Sequence, residues 1–105
     1  MPEASLDNTF GPEVDVYRLD NKIFAMVKTS DPGYVTLKAP PEEVLALLDQ
    51  YGCARPGYYM NKRHWITFDL TGDEPVAELP DLIADSYRLV RSSLSKKRQA
   101  EIDSL

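Results

Sequence analysis

The side chains able to do chemistry in this sequence are few and scattered. His64 is the single histidine. With no second histidine, no cysteine pair and no H-x-x-H spacing beside it, it lacks the company a metal needs. As a general base it would require a nucleophile and an orienting acid, and no such set accompanies it. It reads instead as a hydrogen-bonded strand residue. Cys53, the single cysteine, follows a helix end and reads as a small buried hydrophobe rather than a reactive thiol. Glu42-Glu43 at a helix start and Asp73-Glu74 in a loop are adjacent carboxylates with nothing nearby to divide acid from base work. Glycine-rich phosphate loops, nucleophile elbows and acidic metal-loop patterns are absent from the sequence. The expectation is a protein without catalytic residues, metal or cofactor.

Cations offer a different chemistry. Lys62 and Arg63 adjoin at a strand entrance, where no packing need calls for them. Asn61 precedes them and Trp65 follows, a mixed amide, cation and aromatic set suited to nucleic acid. Two placements of Trp65 stay open: facing solvent, opposite Ile66 and Phe68, or covered by the C-terminal helix. Asn61 also suits a second role, holding the bend before the strand. Further on, Arg88, Arg91, Lys96, Lys97 and Arg98 form a second basic run, which equally describes a solvated helix face. If both sets share one surface, they would neutralise phosphates; if they are dispersed among acids, the surface suits a protein partner.

The elements that must position these residues follow from periodicity and punctuation. Val14–Leu19, Lys22–Lys28 and Tyr34–Lys38 read as three strands, with Asp20-Asn21 as a tight hairpin turn and Ser30–Gly33 as a looser one. Ile23–Val27 is apolar in both phases, which suggests a central strand covered on both sides. A helix over 41–51 opens on Pro41, with Glu42 and Glu43 complementing its dipole. Its inward stripe is Val44, Leu45, Leu47, Leu48 and Tyr51. Arg55–Tyr58 reads as a turn and His64–Leu70 as a strand. A helix over 80–94 presents Leu82, Ile83, Ser86 and Val90 inward, and Ser95 caps a last short helix over 96–103. Residues 1–13 show no pattern and read as an irregular leading segment. The order predicts one α+β domain over residues 1–105: two layers, with an antiparallel sheet of about five strands and helices on one face.

The run Pro56–Thr67, with Asn21–Ala25 upstream and Ser86–Val90 downstream, resembles the signature of the MmcQ/YjbR-like family. These are small bacterial proteins with a CyaY-like, double-wing fold. The resemblance spans residues 10–103. It implies a two-layer domain similar in architecture to secretion chaperones, with DNA binding assigned to the family largely by prediction and no enzyme activity or cofactor. Two departures stand out. Tyr59 occupies a position where the family usually has histidine. The family's leading amphipathic helix has no counterpart in the residues before Phe10. An apolar patch left uncovered there would favour self-association, most simply a two-fold dimer.

Composition bounds the partners. The 105 residues carry 12 basic and 17 acidic side chains, a net charge of -5, which weighs against an indiscriminate polyanion binder. The imbalance lies in residues 1–50, where four basic side chains face nine acidic ones; residues 51–105 hold eight of each. No apolar run approaches the length of a membrane span, no signal peptide is legible, and a lone cysteine suits a reducing cytosol. Two function classes therefore lead: DNA contact through a local basic face, and a protein-interaction module using a sheet face or edge.

Overall fold

Alternation of apolar and polar residues builds the centre of the molecule. A computed structural model of the chain describes residues 3–57, 63–70 and 76–104. In chain order the elements are β1 (Ala4–Asp7), β2 (Val14–Leu19), β3 (Lys22–Lys28), β4 (Tyr34–Lys38), α1 (Pro41–Gln50), β5 (Ala54–Pro56), β6 (Trp65–Asp69), α2 (Leu79–Ser92) and α3 (Lys96–Asp103). The strands form one antiparallel six-stranded sheet in the order β1-β2-β3-β4-β6-β5. All three helices contribute to a single core on one face of it.

Several local readings hold to the residue. β2, β3 and β4 have the expected bounds. Asp20 and Asn21 take φ of 49° and 66°, the paired positive values of a two-residue hairpin whose twist matches its strands. Ser95 caps α3, its side-chain oxygen accepting the Arg98 backbone N–H at 3.1 Å.

The sheet is larger than expected because both added strands are stabilised by their neighbours rather than by their own sequence. Ala4–Asp7, inside the segment expected to be irregular, pairs with β2 from Ala4↔Leu19 to Asp7↔Val16. Four residues carry too few periods to announce a strand, and the ladder along β2 supplies what propensity lacks. Ala54–Pro56, which overlaps the expected Arg55–Tyr58 turn at Arg55 and Pro56, instead pairs with β6. Pro56 is tolerated because β5 is an edge. Gly57 carries the ladder one step further, its N–H donating to the Trp65 carbonyl at 3.1 Å. A Cβ on Gly57 would lie 2.8 Å from the Trp65 Cβ, so this approach admits glycine alone.

The double-phase apolar run of β3 has a specific cause. The β2–β3 register steps from Tyr17↔Ala25 to Arg18↔Ile23, skipping Phe24. An extra residue on one strand lets Phe24 and Ala25 both enter the helix-side core. Met26, on the other face, is buried as well, so coverage on both sides holds for the middle of the strand. Leu45 departs from its expected place. It is 69% exposed, because positions 44, 47, 48 and 51 complete the helical stripe and 45 falls a third of a turn off it.

Two aromatic contacts join the layers: Tyr51 on Phe68, with ring centroids 5.8 Å apart, and Phe24 on Tyr87 at 5.4 Å, both edge to face.

Candidate interaction site

The predicted basic residues are spread along the whole sheet rather than gathered. Arg55, on the β5 edge, is held by Asp69, its Nε donating to both carboxylate oxygens at 2.9 Å. Arg63 is exposed just before β6, and Asn61 and Lys62 lie outside the described residues. Toward the other edge, Arg98 on α3 reaches Asp20 in the β2–β3 turn at 2.8 Å, Glu101 at 3.3 Å and Glu3 at 3.5 Å. Arg91 on α2 grips Asp103 on α3 at 2.5 Å, and Arg88 pairs with Asp85 one turn earlier at 2.7 Å. Lys96 and Lys97 are exposed and carry no ion pair among the described residues. Three of the five cations in the α2–α3 run are thus matched to carboxylates. The Arg98 contact leaves its mark on Asp20, whose pKa the guanidinium hydrogen bond holds below the ordinary 3.8.

Trp65 is neither solvent-facing nor under the C-terminal helix: it is buried, at 8% exposure, on the face opposite Ile66 and Phe68 and outside the core that the helices cover. His64 is half-buried, and its carbonyl accepts the Ala39 N–H at 2.9 Å, a structural tie between β4 and β6. Cys53 is half-buried and makes no disulfide. Among the described residues no cluster of His, Cys, Asp or Glu could hold a metal, and no helix is long and apolar enough to cross a membrane. Asp73-Glu74 lies outside the described residues. An apolar cavity between α1 and α2, lined by Leu37, Leu47, Phe68 and Leu82 among others, measures about 10 Å³. That admits one water at most, against the several hundred Å³ of a small-molecule site.

The two edges of the sheet differ in one device. β5, three residues long, contains Pro56, which discourages a further strand. β1, four residues long, has no proline, and each edge carries one ion pair to its neighbour, Arg55–Asp69 and Arg18–Asp7. Across the helix side of the sheet, the registers align Leu6, Tyr17, Ala25, Leu37, Ile66 and Pro56 in one row. Four of these are apolar residues inside or against the core. The row ends at Leu6, which is 54% exposed, and Phe10 in the following turn is 59% exposed. On the opposite face Asp7 anchors β1 in place. Its carboxylate accepts from the Thr9 hydroxyl at 2.6 Å and the Arg18 Nε at 2.7 Å. The hydrogen bonds from Thr9 and then Arg18 lower the Asp7 pKa below 3.8. β1 is thus an anchored edge strand whose outer side pairs with no other strand among the described residues. Sequence reasoning missed it, since a single leucine among polar residues carries no period; only strand pairing reveals it as the end of a row.

A family model described as YjbR matches residues 1–89. The chain belongs to the YjbR family. Among relatives, YbdF of Escherichia coli O157:H7, an uncharacterized protein, is 38% identical over 104 residues, covering 97% of this chain and 84% of that one. YyaQ of Bacillus subtilis (strain 168), likewise uncharacterized, is 37% identical over 57 residues, 54% of this chain and 48% of its own. The crystal structure of Deinococcus radiodurans DR2400, described by the family-model domain DUF419, superimposes with a TM-score of 0.87 at 29% identity. That match covers 98% of this chain and 80% of DR2400. The resemblance carried by Pro56–Thr67 is therefore membership of the YjbR family. α3, with its Arg98 anchor, lies past the residues that the YjbR model matches.

Proposed function

We propose that this YjbR-family chain is a non-catalytic protein-docking domain of a reducing, cytoplasmic compartment, and that β1 is its docking strand. The observation that carries the reading is the contrast between the edges: Pro56 guards β5, while β1 ends an apolar cross-sheet row on exposed Leu6. An edge of this kind recognises an extended partner segment by main-chain hydrogen bonds, with the alternate side chains giving selectivity. The pairing of Arg88, Arg91 and Arg98 with carboxylates supports the same choice, because a cation already matched has less to gain from a phosphate. A photo-crosslinking residue at position 6, with one at exposed Leu45 as control, tests it in cells. Protein adducts specific to position 6 are expected. Equal yields at 6 and 45, or none at 6, overturn the reading.

Nucleic-acid contact is the second reading, favoured by one observation: Lys96 and Lys97 stand exposed with no ion pair among the described residues. Its measure is a duplex titration at two salt concentrations.

A further inference from the structure

The unguarded edge is chemically its own complement, and we infer that the strand it receives is β1 of a second copy of this chain. The inference rests on the docking reading of β1 and specifies the partner. Two identical antiparallel edges related by a two-fold axis present matching donor and acceptor rows, so an isologous pairing satisfies both at once. Apolar packing selects the register. A two-fold axis at Ser5 would set the exposed Leu6 opposite Ala4 of the second copy, a leucine against a single methyl group. An axis at Leu6 buries more. Leu6 then faces its own counterpart, and Ser5 faces Asp7 of the partner copy, a hydroxyl opposite a carboxylate.

The same register continues the packing. The row Leu6, Tyr17, Ala25, Leu37, Ile66 runs into its symmetry mate without a break, and the half-exposed leucine that ends it becomes an interior cross-strand pair. The product is a continuous twelve-stranded sheet, two copies of the six described, with the guarded β5 strands at its outer ends. Nothing in this arrangement disturbs the pairs that hold β1, since Arg18–Asp7 and Arg98–Glu3 are made within one chain.

Two four-residue edges bury less than the roughly 1,200–2,000 Å² of a standard interface, so the dimer is weak, with a dissociation constant on the order of 10⁻⁵–10⁻⁴ M. Each copy carries a net charge of -5, so added salt strengthens the pairing by screening repulsion. Nucleic-acid binding has the opposite salt dependence.

Sedimentation velocity on the full chain, from about 5 µM to about 1 mM at two salt concentrations, reads the association over the range these affinities set. The expected result is a weight-average mass that climbs above 11.9 kDa with concentration, and climbs further with salt. Register is read by cysteine pairing in a Cys53→Ala background under mild oxidant. Leu6→Cys places two thiols on directly opposed strand positions and forms a covalent dimer. Ser5→Cys leaves its Cα atoms about 8 Å apart, beyond disulfide reach, and does not. Leu6→Lys, at an exposed position, keeps the fold and abolishes association. A chain that stays monomeric at the highest concentration overturns the inference, as does Ser5→Cys cross-linking as readily as Leu6→Cys. If the chain is monomeric yet position 6 captures another protein in cells, the second copy is ruled out and the docking strand stands.

Discussion

Ser86 stitches α2 into the sheet at the point where β3 bulges. Its Oγ donates to the Phe24 carbonyl at 2.5 Å and accepts the Lys38 N–H at 2.9 Å. Phe24 is the residue that the β2–β3 register skips, and Lys38 lies one step beyond the β3–β4 pair Ala25↔Leu37. A fully buried hydroxyl on the helix thus bridges two strands. Ser86→Ala leaves a carbonyl and an N–H without this partner and is expected to cost about 2–4 kcal/mol. Denaturant unfolding measures it. A loss under about 0.5 kcal/mol, the range of an ordinary surface change, would show that the hydroxyl is not needed.

On the sheet's other face, Thr36 and Thr67 are directly opposed and their buried hydroxyls lie 2.8 Å apart. Either Thr→Val change alone strands one hydroxyl and is expected to cost about 1–3 kcal/mol, while the double Thr36→Val, Thr67→Val costs little. A double-mutant cycle in chemical denaturation reads the coupling. Additive losses would mean the two hydroxyls act independently.

Leu45 and Leu47 test the helical stripe. Leu45→Lys, at a 69% exposed position, should leave stability within about 0.5 kcal/mol, whereas Leu47→Ala, in the core, should cost about 2–5 kcal/mol. Comparable losses in thermal melts would contradict the orientation of α1.

The carboxylates of Asp7 and Asp20 have folded pKa values below the ordinary 3.8. A depressed folded value stabilises the native state at pH above the unfolded pKa, and that contribution is lost as pH falls through the folded one. The melting temperature is therefore expected to drop as pH falls below roughly 4. Asp20→Asn should flatten part of the drop, and an unchanged acid profile in that variant would remove the Arg98–Asp20 pair from the account.

For nucleic acid, Lys96 and Lys97, exposed and without an ion pair among the described residues, set the starting point. If they alone each neutralise one phosphate, log affinity falls with log salt at a slope of about -1.8. A slope of -4 or steeper would mean that Arg88, Arg91 and Arg98 exchange their carboxylates for phosphates, and would favour the nucleic-acid reading.

Local patterns determined much of this protein. The alternation in β2 through β4, the Asp20-Asn21 turn, the proline and glutamates opening α1 and the Ser95 cap each act within a few residues, so each was legible. The order of these elements was enough for an antiparallel sheet under helices. Pairing across the chain decided the rest. β1 is a strand because β2 lies beside it, and Phe24 turns inward because one extra residue must fit opposite Tyr17 and Arg18. Arg98 finds Asp20 from 78 positions away, a partner that no run of charges along the sequence discloses. The candidate site belongs to this second class. Leu6 is one apolar residue among polar ones until the sheet assembles, and its meaning comes from the five residues across the strands that it completes. Burial, register and ion pairing depend on distances in space, and a chain fixes those only once it has folded.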